Sequence, residues 1–183
     1  MTHSRDITAD FASASMDDLR RAVQLLMDER EIREVLHRYV HACDRLDDEE
    51  LRTVYHSGAY DDHGPLRGPD SEFVPNVLAA LESIYTFCSH TVGQSRIEWI
   101  GADQVVVETY TIAVTGREVD DGEVLDVVGG RYIDKLSRVD SVWKIADRLF
   151  VPDYDASIPR TRWQNPAEWT IGLRNRDDPS YKR

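Results

Sequence analysis

Cysteine is scarce. The chain has two, Cys43 and Cys88, and neither lies in a CxxC pair or a Cys/His metal motif, so a disulfide framework and a zinc cluster are excluded and two reduced, buried thiols are expected. Long hydrophobic runs are missing too. Nothing approaches the roughly 18 consecutive apolar residues of a membrane span, and the N-terminal stretch MTHSRDITADFASASMDD has no apolar core of a signal peptide, which makes the cytoplasm the expected location. Cations are outnumbered, 22 Lys and Arg against 34 Asp and Glu, for a formal net charge of −12. Phosphates would meet a repulsive field, which argues against nucleic acid and anionic membranes as unaided partners, and a small molecule or a protein is expected. The sequence also lacks G-x-G-x-x-G, Walker, G-x-S-x-G and kinase signatures, which removes support for nucleotide cofactors and serine hydrolysis.

What is present centres on Arg30 to Gly64, REIREVLHRYVHACDRLDDEELRTVYHSGAYDDHG. Ile32, Val35, Leu36, Tyr39, Val40 and Cys43 share one helical face, which the spacing predicts to be buried. Residues 1–16 are polar and aperiodic and are expected to be flexible. Asp17 and Asp18 then offer an N-cap for a helix running to about Arg45. A short second helix is predicted to start at Asp47, carry Leu51, Val54 and Tyr55, and stop at Gly58. AYDDHG reads as a short strand, GPLRG as a turn, and Asp70 as the cap of a third helix burying Phe73, Val77, Leu78, Leu81, Ile84 and Tyr85. From Phe87 the period changes from 3.6 to 2, giving four long strands in a meander. Gly129-Gly130 predicts a bulge that curls the sheet. The expected architecture is therefore α+β: N-terminal helices packed across a curved, mostly antiparallel sheet, as one domain over residues 17–155. A tail, residues 156–183, carries Trp163 and Trp169 and is expected to pack on the domain, on a neighbour, or over a pocket mouth.

Several polar groups are candidates for chemistry, and the residues alone leave each one open. Asp44 lies on the flank of the buried stripe near the helix C-terminus, where dipole and desolvation disfavour a bare carboxylate, so it is either a solvated capping residue or the partner of a histidine. His90, at the start of the first long strand, is a surface residue, a structural one, or a base, and alternation does not settle which register of its strand faces inward. Tyr39 is core packing or a hydroxyl at a wet cavity. His37, His41 and Asp44 at i, i+4 and i+7 have a metal-like spacing without any accompanying signature, and no metal is expected. A Tyr60–His63 strand would send Tyr60 and Asp62 one way and Asp61 and His63 the other. Arg131 and Arg148 are exposed flanks or fixed cations in a pocket.

RYVHACDRLDDEELRTVYH, then AYDDHG, SHTVGQSRIEWIGADQVVVETY and GGRYIDKLSRVDSVWKIADRLFVPDY resemble the SnoaL-like proteins of the NTF2-like superfamily. These include polyketide cyclases, scytalone dehydratase, bile acid dehydratase and hexachlorocyclohexane dehydrochlorinase. The resemblance implies a cone-shaped barrel with an internal pocket and a cofactor-independent lyase whose dyad corresponds to Asp44 and His90. It implies substrate contacts from Tyr39, from Arg148 after Trp143, and from Tyr132 after Gly129-Gly130, with Tyr60 as a second hydroxyl. Thr111 stands where the bile acid enzyme would have an acidic residue. The function implied is dehydratase-like elimination or isomerisation of a small, apolar, cyclic substrate, in a homo-oligomer, a trimer before a dimer. The alternative is a ligand-binding protein, or an accessory subunit like the β subunits of ring-hydroxylating oxygenases.

Overall fold

The protein is described from a computed structural model, which covers residues 13–161 and 168–182. The long helix α1 (Met16–Arg45) is started by Ser15, whose hydroxyl accepts from the Asp18 N–H while the Asp18 carboxylate accepts from the Ser15 N–H. Ser15 is thus the cap, and Asp18 closes the capping box rather than capping the helix itself. The helix ends at Leu46 in the left-handed region (φ 53°). The stripe from Ile32 to Cys43 is buried as its spacing predicts. Burying six such side chains supplies on the order of 10 kcal/mol of hydrophobic driving force before entropy is subtracted.

Helix α2 (Asp48–Thr53) is capped by Asp47, but it stops earlier than its pattern suggests. Strand β1 (Tyr55–His63) already starts at Tyr55, and Gly58 (φ 81°) serves a distortion inside that strand instead of a helix stop. The stretch read as a turn forms β2 (Leu66–Pro69), the second arm of a hairpin around Gly64 (φ 75°). Helix α3 (Asp70–Ile84) has Pro69 at its cap position, and Asp70 instead accepts from the Gly58 N–H at 2.8 Å, tying helix to strand. Pro75, the sixth residue of the helix, leaves the Ser71 carbonyl without its helical N–H donor. Ile84, placed inside by the pattern, is exposed at the frayed C-terminus.

Strands β3 (Phe87–Trp99), β4 (Gln104–Val119), β5 (Gly122–Val139) and β6 (Val142–Pro159) form the antiparallel meander, and β1 joins β6 in parallel. The sheet order is β2-β1-β6-β5-β4-β3. Besides the distortion in β1, three irregularities shape the meander. One extra residue in β3 between Val92 and Ser95 switches which parity faces the helices: Cys88, His90 and Val92 point in before it, and Ser95, Ile97 and Trp99 after it. An extra β6 residue lies opposite Gly129/Gly130, so the expected bulge is present, with the inserted residue on the partner strand. A third, at Ala146, puts both Trp143 and Arg148 on the inner face although they are five positions apart, an odd spacing that places residues of a regular strand on opposite faces.

The segment 168–182 packs against the α1, α2 and α3 ends. Arg174 Nη1 donates to the carbonyls of Leu81 and Tyr85, and Arg176 and Tyr181 both donate to the Asp47 carboxylate. Trp169 is 61% exposed, and Trp163 lies outside the described residues, as does most of the stretch 1–16.

Candidate active site

Asp44 and His90 meet. The inward parity of early β3 turns the His90 ring toward the end of α1, where its Nδ1 lies 2.7 Å from Asp44 Oδ1, while the His90 backbone N–H donates to Oδ2 at 2.9 Å. A carboxylate with both oxygens engaged by one residue fixes that residue's ring. Nδ1 holds the proton that Asp44 accepts, and Nε2 is left with a lone pair. Burial pushes the Asp44 carboxyl up, but the hydrogen bonds and charge of His90 outweigh it and hold it below the usual carboxylate range. Cys88 Sγ lies 3.6 Å from His90 Nδ1. Carboxylate, thiol and imidazole donors from Asp44, Cys88 and His90 thus fall within 4.8 Å of one another. Burial and the Asp44 charge push the Cys88 thiol up, so it stays protonated and makes a poor metal ligand. His37 and His41 do not join this group; His41 bonds Glu50 and Ser180.

Deeper in the cone lies a second polar set. Cα register places Asp61 of β1 beside Arg148 of β6, and Arg148 beside Asp134 of β5. The Arg148 guanidinium forks onto Asp134 at 2.7 and 2.8 Å, with its Cζ 3.9 Å from the Tyr39 ring centre and 4.1 Å from that of Tyr132. Burial opposes the Arg148 charge, and Asp134 more than offsets it. Arg148 Nη1 is buried with no partner among the described residues. The Asp61 carboxylate accepts from the Tyr55 hydroxyl and from His63 Nδ1, the latter at 2.6 Å. Burial holds Tyr39, Tyr55 and Tyr132 as neutral phenols.

Of the expected substrate contacts, Tyr39, Tyr132 and Arg148 are brought together, but in a packed layer in which each is 3% exposed or less. Tyr60 is not brought to the site: it is 43% exposed on the opposite face of β1 from Asp61 and His63. Asp134 was not singled out by sequence, Asp61 and His63 were read only as one side of a strand, and Cys88 only as a buried thiol. The strand alternation of YDDH was the available signal for Asp61 and His63. Two surface concavities, one of about 270 Å³ over Gly93, Tyr110 and Tyr154 and one of about 340 Å³ along α1 at Arg30 and His37, do not border the dyad.

Residues 24–149 match the model of the SnoaL-like domain. The chain belongs to that family. The SnoaL-like domain is similar in fold to a hexachlorocyclohexane dehydrochlorinase from Novosphingobium barchaimii, at 15% identity and TM-score 0.71 over 79% of this chain and 99% of that one. It is likewise similar to a scytalone dehydratase-like protein from Novosphingobium aromaticivorans, at 16% identity and TM-score 0.66 over 82% and 99%. A third similar structure is assigned as the β subunit of an aromatic-ring-hydroxylating dioxygenase from the same organism, at 18% identity and TM-score 0.59 over 71% and 92%. No curated protein matches the sequence. No described helix of this SnoaL-like domain is long and apolar enough to cross a membrane.

Proposed function

We propose that this SnoaL-like domain is a lyase of the dehydratase kind, needing no cofactor, which eliminates from or isomerises a small, mostly apolar, cyclic substrate. The observation that carries this reading is the double contact between Asp44 and His90, because it presents His90 Nε2 as a fixed base. His90 takes the proton from carbon next to a carbonyl, and the imidazolium that results is stabilised by Asp44. Among the described residues Arg148 Nη1, beside Tyr39 and Tyr132, is a buried cationic donor without a hydrogen-bond partner, which suits an oxygen that gains negative charge. A positioned base of this kind contributes about 10²–10⁴ in rate, enough for an already acidic C–H bond.

The test is exchange of α-hydrogen for deuterium in a panel of cyclic ketones. The parent is expected to catalyse it, and His90→Gln to lose it by at least about 10²-fold. A parent with no exchange on any member sinks the reading. The likeness to a dioxygenase β subunit supports a second one, an accessory subunit, in which His90 is dispensable to assembly with a larger partner.

A further inference from the structure

The elimination reading supplies a base and leaves the acid unassigned. Tyr60 faces out, and Tyr39 and Arg148 are almost fully enclosed. His63 is differently placed. Its side chain keeps 21% of its area accessible. Its ring stacks on Phe73 of α3 (5.4 Å, 29°) and on Phe150 of β6 (5.3 Å, 17°), and Tyr132 of β5 is tilted against it at 5.8 Å. Nδ1 is committed to Asp61, and among the described residues Nε2 reaches only the Tyr39 hydroxyl of α1, at 3.5 Å, the outer limit of a hydrogen bond. Like His90, this is an imidazole held at one nitrogen by a carboxylate and nearly free at the other.

The charges around it differ from those around His90. The titratable and charged groups around His63 are Asp61 of β1, which also accepts from Tyr55, Tyr39 from α1, Tyr132 from β5 and, next in register to Asp61, Arg148 from β6 with Asp134 from β5. Two enclosed carboxylates flank one guanidinium, so the set carries one surplus negative charge with neutral His63 and none when His63 is imidazolium. The sheet order places β1 and β3 on opposite sides of β6, β5 and β4, and α1 links the two imidazoles, Tyr39 reaching His63 and Asp44, five residues on, holding His90.

We propose that His63 is the general acid of the elimination and that Asp61 is its positioning residue. His90 Nε2 takes the proton from the α-carbon, and the C–H electron pair becomes the enolate. That pair then forms the C=C bond as the C–O bond to the β-carbon breaks, and the departing oxygen leaves with the His63 Nε2 proton as water. His90 afterwards gives its proton to solvent and His63 regains one, so the net change is loss of water. The inference rests on the elimination reading and deepens it.

The experiment compares two reactions of the full chain in deuterated buffer: α-exchange in cyclohexanone, which needs only the base, and loss of water from 3-hydroxycyclohexanone, which needs the acid as well. In His63→Gln the ratio of dehydration to exchange is expected to fall about 10²-fold, and the high-pH limb of the dehydration profile to disappear. Asp61→Asn is expected to show a smaller fall. An unchanged ratio in a folded His63→Gln overturns the proposal. A parent that performs neither reaction counts against the elimination reading itself. The ring ¹⁵N spectrum of the parent at pH 7 then decides separately: both His63 nitrogens protonated upholds the acid, and a neutral ring overturns it.

Discussion

Asp44 and Arg148 show how one enclosed charge depends on another. Asp44 lies below the usual carboxylate range when folded, so its stabilising contribution is fully present above the unfolded value of about 3.9 and is lost as pH falls through the lower folded value. Asp44→Asn is expected to cost about 2 kcal/mol near neutral pH. In urea titrations at a series of pH values, the gap to the parent should close below about pH 4. The same substitution should remove the bias that keeps the His90 proton on Nδ1, read from ring ¹⁵N shifts. Arg148→Met leaves Asp134 enclosed and unpaired and should cost about 3–5 kcal/mol, whereas the Arg148→Met/Asp134→Leu pair recovers most of that loss. A double variant no more stable than the single one would contradict this account. Cys43 and Cys88 were legible as buried thiols from their surroundings; the contact between Cys88 and His90 was not, since it depends on which face of β3 looks inward.

At the level of elements, the bulges decide where the site residues point. Gly130 is enclosed so tightly that a Cβ would stand 2.4 Å from the Val151 carbonyl, which is backbone and cannot move alone. At Gly129 the nearest atoms belong to the ring of Tyr154, which is 54% exposed and can swing away. Gly130→Ala is therefore expected to destabilise by about 2–3 kcal/mol, and Gly129→Ala by clearly less, as measured by thermal or denaturant unfolding. Equal effects would show that the Tyr154 ring is held in place. The glycine pair was readable in the sequence as a bulge. The extra residue in β3 falls at Gly93-Gln94, where a lone strand glycine was the available signal, whereas the one at Ala146 carried none, because nothing in IAD distinguishes an inserted residue from a strand residue of the other face.

For the whole molecule, the C-terminal segment closes the open end of the helical layer. Arg174 satisfies two carbonyls at the end of α3, and Arg176 and Tyr181 meet Asp47 at the start of α2. Ending the chain at residue 161 removes all of these. Midpoint loss is expected to be several degrees, on the scale of 2–4 °C per kcal/mol for a chain of this size. Deuterium exchange should rise first at the C-terminal turn of α3 and in α2. Protection unchanged in both would show that the segment contributes no restraint. The homo-oligomer implied by family resemblance is tested by light scattering on the same two chains.

Composition and local periodicity determined the α+β class, the buried stripe of α1 and the meander, since each of these follows from neighbours within a few residues along the chain, and they left Asp44 open between a solvated cap and the partner of a histidine. The SnoaL-like motifs added His90 as its partner. Tertiary structure alone decided that Tyr60 faces away, that Arg148 is enclosed on Asp134, and that Asp61 and His63 form a second carboxylate–imidazole pair. The physical reason is parity: one inserted residue in a strand inverts every side chain beyond it, and the register between distant strands selects which charges become neighbours.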